Sequence, residues 1–247
     1  MTSRPPLPAA PPPPLAVSII IPTYNEAATI GELLGYLHQH AAQGPQPEIL
    51  VVDGGSTDGT PHLAQQAGAT VLASPRKGRA AQLNYGAQQA RGELFYFLHA
   101  DSYPPPGFLA ELQQAVAQGY PAGCYRLAFD HPHWFLRFSA WCTRLPFTAV
   151  RFGDQSLFVR QELFIALGGY REDLVVMEDQ DLVERLQARA AFRLLPGAVT
   201  TSARKYLANG VFRLQSIFAL VVLGYRLGVP QHRLVQFYRR FIRLGKL

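Results

Sequence analysis

The sequence predicts an α/β fold built on a mostly parallel central sheet. Three apolar runs, at 17–21, 48–52 and 93–98, have the length of buried strands, and each breaks into polar or acidic residues. Helical periodicity follows the first of them: after Asn25, the residues Ile30, Leu33, Leu34 and Leu37 fall at i, i+3, i+4 and i+7, one face of a helix. Strand and helix alternating in this cadence argue for right-handed crossovers between parallel strands.

Taken in order, Val17-Ser18-Ile19-Ile20-Ile21 is rich in β-branched residues and stops at Pro22. The helix after it is expected over 26–41. Glu48 to Val52 forms the second strand and runs into Asp53-Gly54-Gly55, a turn composition. A helix over 59–67, a strand over 69–73 and a helix over 79–90 come next. The run Leu94-Phe95-Tyr96-Phe97-Leu98 lies between Gly92 and Pro104, too short for a helix, so a strand is expected over 93–98. Beyond it the pattern predicts strands at 123–129, 155–159 and 191–195, and helices at 106–118, 160–167, 178–189, 207–227 and 231–244. Periodicity fixes the type of each element better than its ends. No internal repeat is present.

At 247 residues and 48% hydrophobic, the chain is large enough to bury one substantial core. Residues 1–14 stand apart: Pro5, Pro6, Pro8 and Pro11 to Pro14 with intervening alanines predict an extended, solvated tail. That segment lacks the apolar core of a secretory signal, which predicts a cytoplasmic protein. Cys124 and Cys142 imply no disulfide framework and match no common zinc spacing. Residues 201–247 carry nine Lys or Arg and no acid, whereas the first 200 carry 14 basic and 17 acidic side chains. A near-neutral body with a basic C-terminal segment points to an anionic surface or a phosphate, and away from a uniformly basic nucleic-acid binder.

In an open parallel sheet, ligands gather outside the carboxyl ends of the strands. Three strands here end in polar or acidic residues: Thr23-Tyr24-Asn25-Glu26, Asp53 and His99-Ala100-Asp101. Asp101 at a strand end suits holding a divalent metal against a nucleotide diphosphate. His99 lies two residues earlier on the same side, and it either ligates the ion, supports its ligands from behind, or contacts a sugar; direct ligation by an imidazole would favour Mn2+ over Mg2+. Backbone groups near Thr23 and the carboxylate of Glu26 suit a base and a ribose diol, while Asn25 and Glu26 could equally serve the following helix as cap and dipole partner. Arg79 opens a helix, and a helix N-terminus with a guanidinium is a natural diphosphate site. Asp58 with Thr60 reads as the cap of the helix at 59–67.

The series Pro22-Thr23-Tyr24-Asn25-Glu26, Val52-Asp53-Gly54-Gly55-Ser56-Thr57-Asp58, His99-Ala100-Asp101 and Glu178-Asp179 resembles the family 2 glycosyltransferases over residues 15–210. Gly153-Asp154-Gln155 and Ser202-Ala203-Arg204 look more like a bacterial branch of it, the radical-SAM/selenodomain-associated transferases. The resemblance implies a GT-A fold, three layers in the order α/β/α, and inverting transfer of one sugar from a nucleotide-diphosphate sugar to an acceptor hydroxyl, assisted by Mn2+ or Mg2+. It implies a base contact for Asp53, the general base for Asp179 and an orienting role for Glu178. Asp154 and Gln155 would meet donor sugar or acceptor, and Arg204, with Lys205 and Tyr206, would close over the diphosphate. The chain departs from the family pattern at Gly54, where many relatives carry a second Asp, and at His99, where Asp-X-Asp is common. The Gln-X-X-Arg-Trp of processive synthases is absent, which favours transfer of a single sugar.

These readings divide the chain into the tail at 1–14, a GT-A domain at 15–206 and a basic helical extension at 207–247. The aromatic-rich stretch 131–152 is either a helix packed on the sheet or a flap over the acceptor. Ile217 to Tyr225 is apolar all round but only nine residues long, bounded by Arg213 and Arg226, against the roughly 20 that a membrane span needs. It is either a buried or oligomeric helix, or part of an interfacial helix on the inner face of an anionic membrane, which would suit a lipid-linked acceptor. Two rival functions stay open: a nucleotidyltransferase that releases pyrophosphate, and a nucleotide-sugar-binding protein without turnover.

Overall fold

Alternate residues of the first strand point to opposite faces of the sheet, and both faces are buried. In the computed structural model, which describes residues 14–41, 45–145, 147, 150–151 and 153–242, strand β1 (Val17–Thr23) turns Val17, Ile19 and Ile21 into one core and Ile20 into another. The first core is completed by α1 (Ile30–His40) and α4 (Phe108–Ala117); the second by α3 (Arg79–Gln89), α6 (Gln161–Ala166) and α7 (Glu178–Arg189). Helices on both faces of one sheet make three layers. All but Pro14 of the expected tail lies outside the described residues, as do Arg243 and Lys246.

The sheet runs in the order β3 (Thr70–Ala73), β2 (Glu48–Asp53), β1, β4 (Leu94–Phe97), β7 (Leu157–Arg160), β6 (Ala122–Phe129), β8 (Phe192–Thr201) and β5 (Ser102–Tyr103). Strands β2, β3 and β4 join β1 in a parallel set, with Thr23 in register with Asp53 and Asp53 with Ala73. Strand β7 pairs antiparallel with β4 and with β6. Strand β8 returns parallel to β6, so the expected mostly parallel sheet is present. Helix α2 (Thr60–Gln66) connects β2 to β3.

Several boundaries differ from expectation for identifiable reasons. Helix α1 starts at Ile30 and not at residue 26, because Asn25 takes a left-handed backbone (φ 54°) and the Glu26 carbonyl accepts the Thr29 and Ile30 amides in a turn first. Strand β8 continues six residues past its expected end, through Pro196 and Gly197, to pair with β5. Two residues carry no periodicity, so β5 was invisible in the pattern. The helix expected over 207–227 is two, α8 (Arg204–Asn209) and α9 (Val211–Arg226), broken at Gly210 with φ 80°. Helix α10 (Gln231–Phe241) follows. In the aromatic stretch, α5 (Trp134–Cys142) packs Leu136 and Ala140 inward.

The carboxyl edge is held by close packing beneath it. A Cβ on Gly86 of α3 would lie 2.6 Å from Ile20 Cγ2 and 2.8 Å from Val52 Cγ2, so α3 sits directly on β1 and β2. Gly86→Val is therefore expected to lower unfolding free energy by about 1–3 kcal/mol through overpacking, read as a lower denaturant midpoint at unchanged slope; an unaltered midpoint would contradict this packing.

Candidate functional site

The parallel strands end side by side, and Gln82 fastens two of those ends. Its buried amide donates to the Thr23 and Val52 carbonyls at 2.8 and 2.7 Å. One turn on, the Asp53 carboxylate accepts four hydrogen bonds: the Gly55 and Ser56 amides on Oδ2, both at 2.9 Å, and the Ser56 and Thr23 hydroxyls on Oδ1 at 2.5 and 3.2 Å. A carboxylate has about four acceptor positions, so Asp53 shapes the Gly54–Ser56 turn as its main task. Asn25 Oδ1 accepts the Thr57 amide at 2.9 Å, and Asp58, one residue before the Gly59 N-cap of α2, accepts the amides of Thr60 and Ala27, which ties the β1 loop to the β2 loop. Neither Gln82 nor Ser56 stood out as a site residue in the sequence; a glutamine amid the alanines of a buried helical face is the signal that could have found the first.

Five ion pairs, made by three cationic side chains, occupy the cleft above these strand ends. Arg204, at the start of α8, reaches Glu26 at 2.8 Å and Asp101 at 3.2 Å. His99 Nδ1 meets Asp154 at 3.1 Å. Arg79, the first residue of α3, meets Glu178 at 2.5 Å and Asp179 at 3.0 Å, both in the first turn of α7. The structure thus brings together Glu26, Arg79, His99, Asp101, Asp154, Glu178, Asp179 and Arg204 from six separate segments. Thr23 and Asp53 lie below, buried in the sheet edge. Gln155 is also buried and donates to the Tyr125 carbonyl at 2.9 Å, so it anchors the 3-10 turn Gly153–Gln155 that carries Asp154. Arg79 meets the two carboxylates while its side chain stays 43% exposed, and the helix it opens is aimed at the same cleft.

Burial and charge shift the ionisable groups in opposite directions. Burial pulls the His99 imidazole down, but the Asp154 hydrogen bond and the charges of Asp154 and Asp179 leave its pKa raised. For Asp154, burial is outweighed by His99, Arg79 and Lys205, and its pKa falls to about 2. Asp101 is raised, chiefly by burial, with the Asp154 and Glu26 carboxylates adding to the effect. Glu178 is raised by burial against the pull of Arg79, and its Oε2 is buried without a hydrogen-bond partner among the described residues. The charged form of Arg79 is favoured by Asp179 and Glu178 despite burial. Gly153 lies against Asp179 so closely that a Cβ would overlap the carboxylate, which explains the glycine before Asp154.

Among the described residues, no three His, Cys, Asp or Glu side chains are grouped to hold a metal unaided. Divalent ions in nucleotide sites commonly use one or two carboxylates and take their remaining oxygens from phosphates and water. Asp101, with the His99 ring beside it, fits that partial donor set.

Residues 18–166 match the model of glycosyl transferase family 2. The chain belongs to this family. The match contains every site residue named above from Thr23 to Gln155, and ends before Glu178, Asp179 and Arg204. Over 112 residues the chain is 38% identical to the undecaprenyl-phosphate 4-deoxy-4-formamido-L-arabinose transferase of Pseudomonas aeruginosa (strain LESB58), covering 42% of this chain and 33% of the relative. It is 34% identical over 110 residues to the dolichol-phosphate mannosyltransferase of Pyrococcus furiosus, covering 42% and 31%. The matched part therefore spans about a third of these curated relatives. Among solved structures, a mannosyltransferase from Pyrobaculum calidifontis in complex with GDP-Man and Mn2+ superposes with a TM-score of 0.67 at 23% identity, covering 94% of this chain and 66% of that one. Glucosyl-3-phosphoglycerate synthase from Mycobacterium tuberculosis, in complex with Mn2+, UDP and glucosyl-3-phosphoglycerate, gives 0.55 at 18% identity, covering 87% and 81%. These likenesses establish the GT-A fold of this family 2 chain.

The Asp53 carboxylate supplies a direct test of its structural share. Asp53→Ala is expected to destabilise by about 1–3 kcal/mol, because it leaves the Gly55 and Ser56 amides and the Thr23 hydroxyl without their acceptor. Unchanged thermal stability with lost nucleotide affinity would show that base contact is its sole role.

Proposed function

We propose that this chain is an inverting, metal-dependent glycosyltransferase that moves one sugar from a nucleotide-diphosphate sugar to an acceptor hydroxyl. The observation that carries the reading is the junction of Glu26, Asp101 and Arg204 at the strand ends with Arg79, Glu178 and Asp179 across the same cleft. The nucleotide would lie over Thr23 and Asp53 with its ribose against Glu26. Arg79 and Arg204 would exchange carboxylate partners for diphosphate oxygens, since both already sit where anions are gathered. Asp101, assisted by His99, would hold Mn2+ or Mg2+, whose chemistry is to stabilise the charge that grows on the departing diphosphate. Family membership and the GDP-Man, UDP and Mn2+ bound in the structural neighbours support this reading.

On the acceptor side, Asp179 would take the hydroxyl proton as the oxygen attacks the anomeric carbon from the face opposite the diphosphate. Glu178, buried behind Arg79, orients that guanidinium and through it Asp179. Asp154 and Gln155 present the loop next to the sugar. The relatives' names, an undecaprenyl-phosphate and a dolichol-phosphate transferase, support a lipid-linked acceptor. Among the described residues no helix is long and apolar enough to cross a membrane. A cytoplasmic protein held peripherally on an anionic membrane through the basic segment 207–247 fits both facts.

The products separate this reading from its rivals. Incubation with nucleotide-diphosphate sugars and acceptor should release free nucleoside diphosphate; pyrophosphate would identify a nucleotidyltransferase, and saturable binding without product a sensor. Asp179→Asn should leave donor affinity nearly unchanged while kcat falls by about 10²–10⁴, the usual worth of a general base. Donor affinity lost in parallel with rate would make Asp179 a binding residue.

A further inference from the structure

Helix α5 exposes an aromatic stripe that neither the sheet nor the site uses. Trp134, Phe138 and Trp141 stand at i, i+4 and i+7, on one face of the helix, and their exposures are 65, 54 and 52%. Leu136 and Ala140, on the other face, are buried. Exposed Arg137 and Arg144 flank the stripe on one side, and residues 131–152 contain no Asp or Glu.

The stripe continues into a second helix. Phe212, in the first turn of α9 and 53% exposed, stands 5.9 Å from the Trp134 ring and 4.9 Å from Phe135. From Phe212 the outward face of α9 carries Leu220 and Leu223, with Leu227 just past its end, all more than half exposed. Beside it, α9 and α10 leave a groove of about 310 Å³ lined by Ile217, Leu220, Phe237, Phe241, Ser216 and Arg213. Exposed Arg233, Arg239 and Arg240 of α10 border this region, and no acid occurs after residue 200. A solvated surface does not ordinarily gather large apolar side chains in one patch.

We propose that α5 and α9 together form a single docking face for an anionic lipid bilayer, with Trp134, Phe138, Trp141 and Phe212 entering the headgroup region and the surrounding arginines meeting lipid phosphates. The proposal rests on the sugar-transfer reading only for its purpose. Exposed aromatics with basic, acid-free flanks suit that boundary, because amphipathic rings settle at the interface while guanidinium groups reach outward to anions. The charge complementarity selects the occupant: a second copy of this chain would bring like-charged arginines into contact, an anionic bilayer would not. The face also adjoins the site. Asp130, just before α5, accepts the Ala203 amide at 2.7 Å, and the next residue is Arg204, which reaches Asp101. Tyr206 then joins Phe129 to Phe218 of α9. A membrane-bound acceptor would thus lie near the cleft without the chain having to span the bilayer.

The chain supplies its own reporter, since Trp134 and Trp141 are its only tryptophans. Full-length protein is titrated with phosphatidylglycerol or phosphatidylcholine vesicles, at low and high salt, while sedimentation and tryptophan emission are followed together. The expected result is co-sedimentation with the anionic vesicles, a blue shift, and quenching by brominated lipid, all weakened by salt. Phe138→Asp should weaken partitioning by about tenfold or more with an unchanged circular-dichroism spectrum. Co-sedimentation without a spectral change overturns this face while leaving binding through α10 and sugar transfer intact. A shift that depends on protein concentration and not on lipid overturns it in favour of self-association. Absence of both binding and shift overturns it outright, and turnover of a water-soluble acceptor would still stand as a separate matter.

Discussion

The site depends on how six carboxylates can share one edge of a sheet. Glu26, Asp53, Asp101, Asp154, Glu178 and Asp179 converge where the parallel strands end, and mutual repulsion there would work against folding unless each found a partner. Asp53 is satisfied by backbone and hydroxyl donors from its own turn and β1. The others are held by Arg79, His99 and Arg204, which come from the start of α3, the end of β4 and the start of α8. Each cation bridges or touches acids from other segments, so the network joins the nucleotide half of the sheet to α7 and to the C-terminal helices. The same arrangement is what a diphosphate and a divalent ion need: cations that can change partners and a carboxylate left partly open.

The architecture was legible because its signals are local and strong. Apolar runs bounded by Pro22, Gly54 and Gly92 marked β1, β2 and β4, and the 3.6-residue spacing of Ile30, Leu33, Leu34 and Leu37 marked α1. What sequence reading missed depends on tertiary contact. The late start of α1 follows from Asn25 binding the β2 loop, and β5 exists only because β8 runs past Pro196 to meet it. The break at Gly210 is a backbone conformation that an otherwise helical pattern conceals.

The same contrast holds in the site. Residues singled out by position at strand ends, Glu26, His99 and Asp101, do meet in space. Arg204 and Asp154 were named as well, but the pairings were not legible: Arg204 lies 178 residues from Glu26 in the chain, and the bond between them exists only because α8 is folded back over the sheet. Asp53 matched a family position, yet nothing in its neighbourhood signalled that four protein donors would surround it. The left-handed backbone of Met177 (φ 70°), which turns Glu178 and Asp179 into the cleft, likewise has no sequence signature. A methionine is not the residue such a conformation favours.

The central claim is that this carboxyl edge receives a nucleoside diphosphate together with a divalent ion. Calorimetric titration of the protein with UDP and GDP, in Mn2+ and again after chelation, tests it most directly. The account predicts saturable binding of one equivalent of at least one of them, weakened strongly when the metal is removed. Absence of binding by either nucleotide with Mn2+ present, or affinity indifferent to chelation, would contradict it.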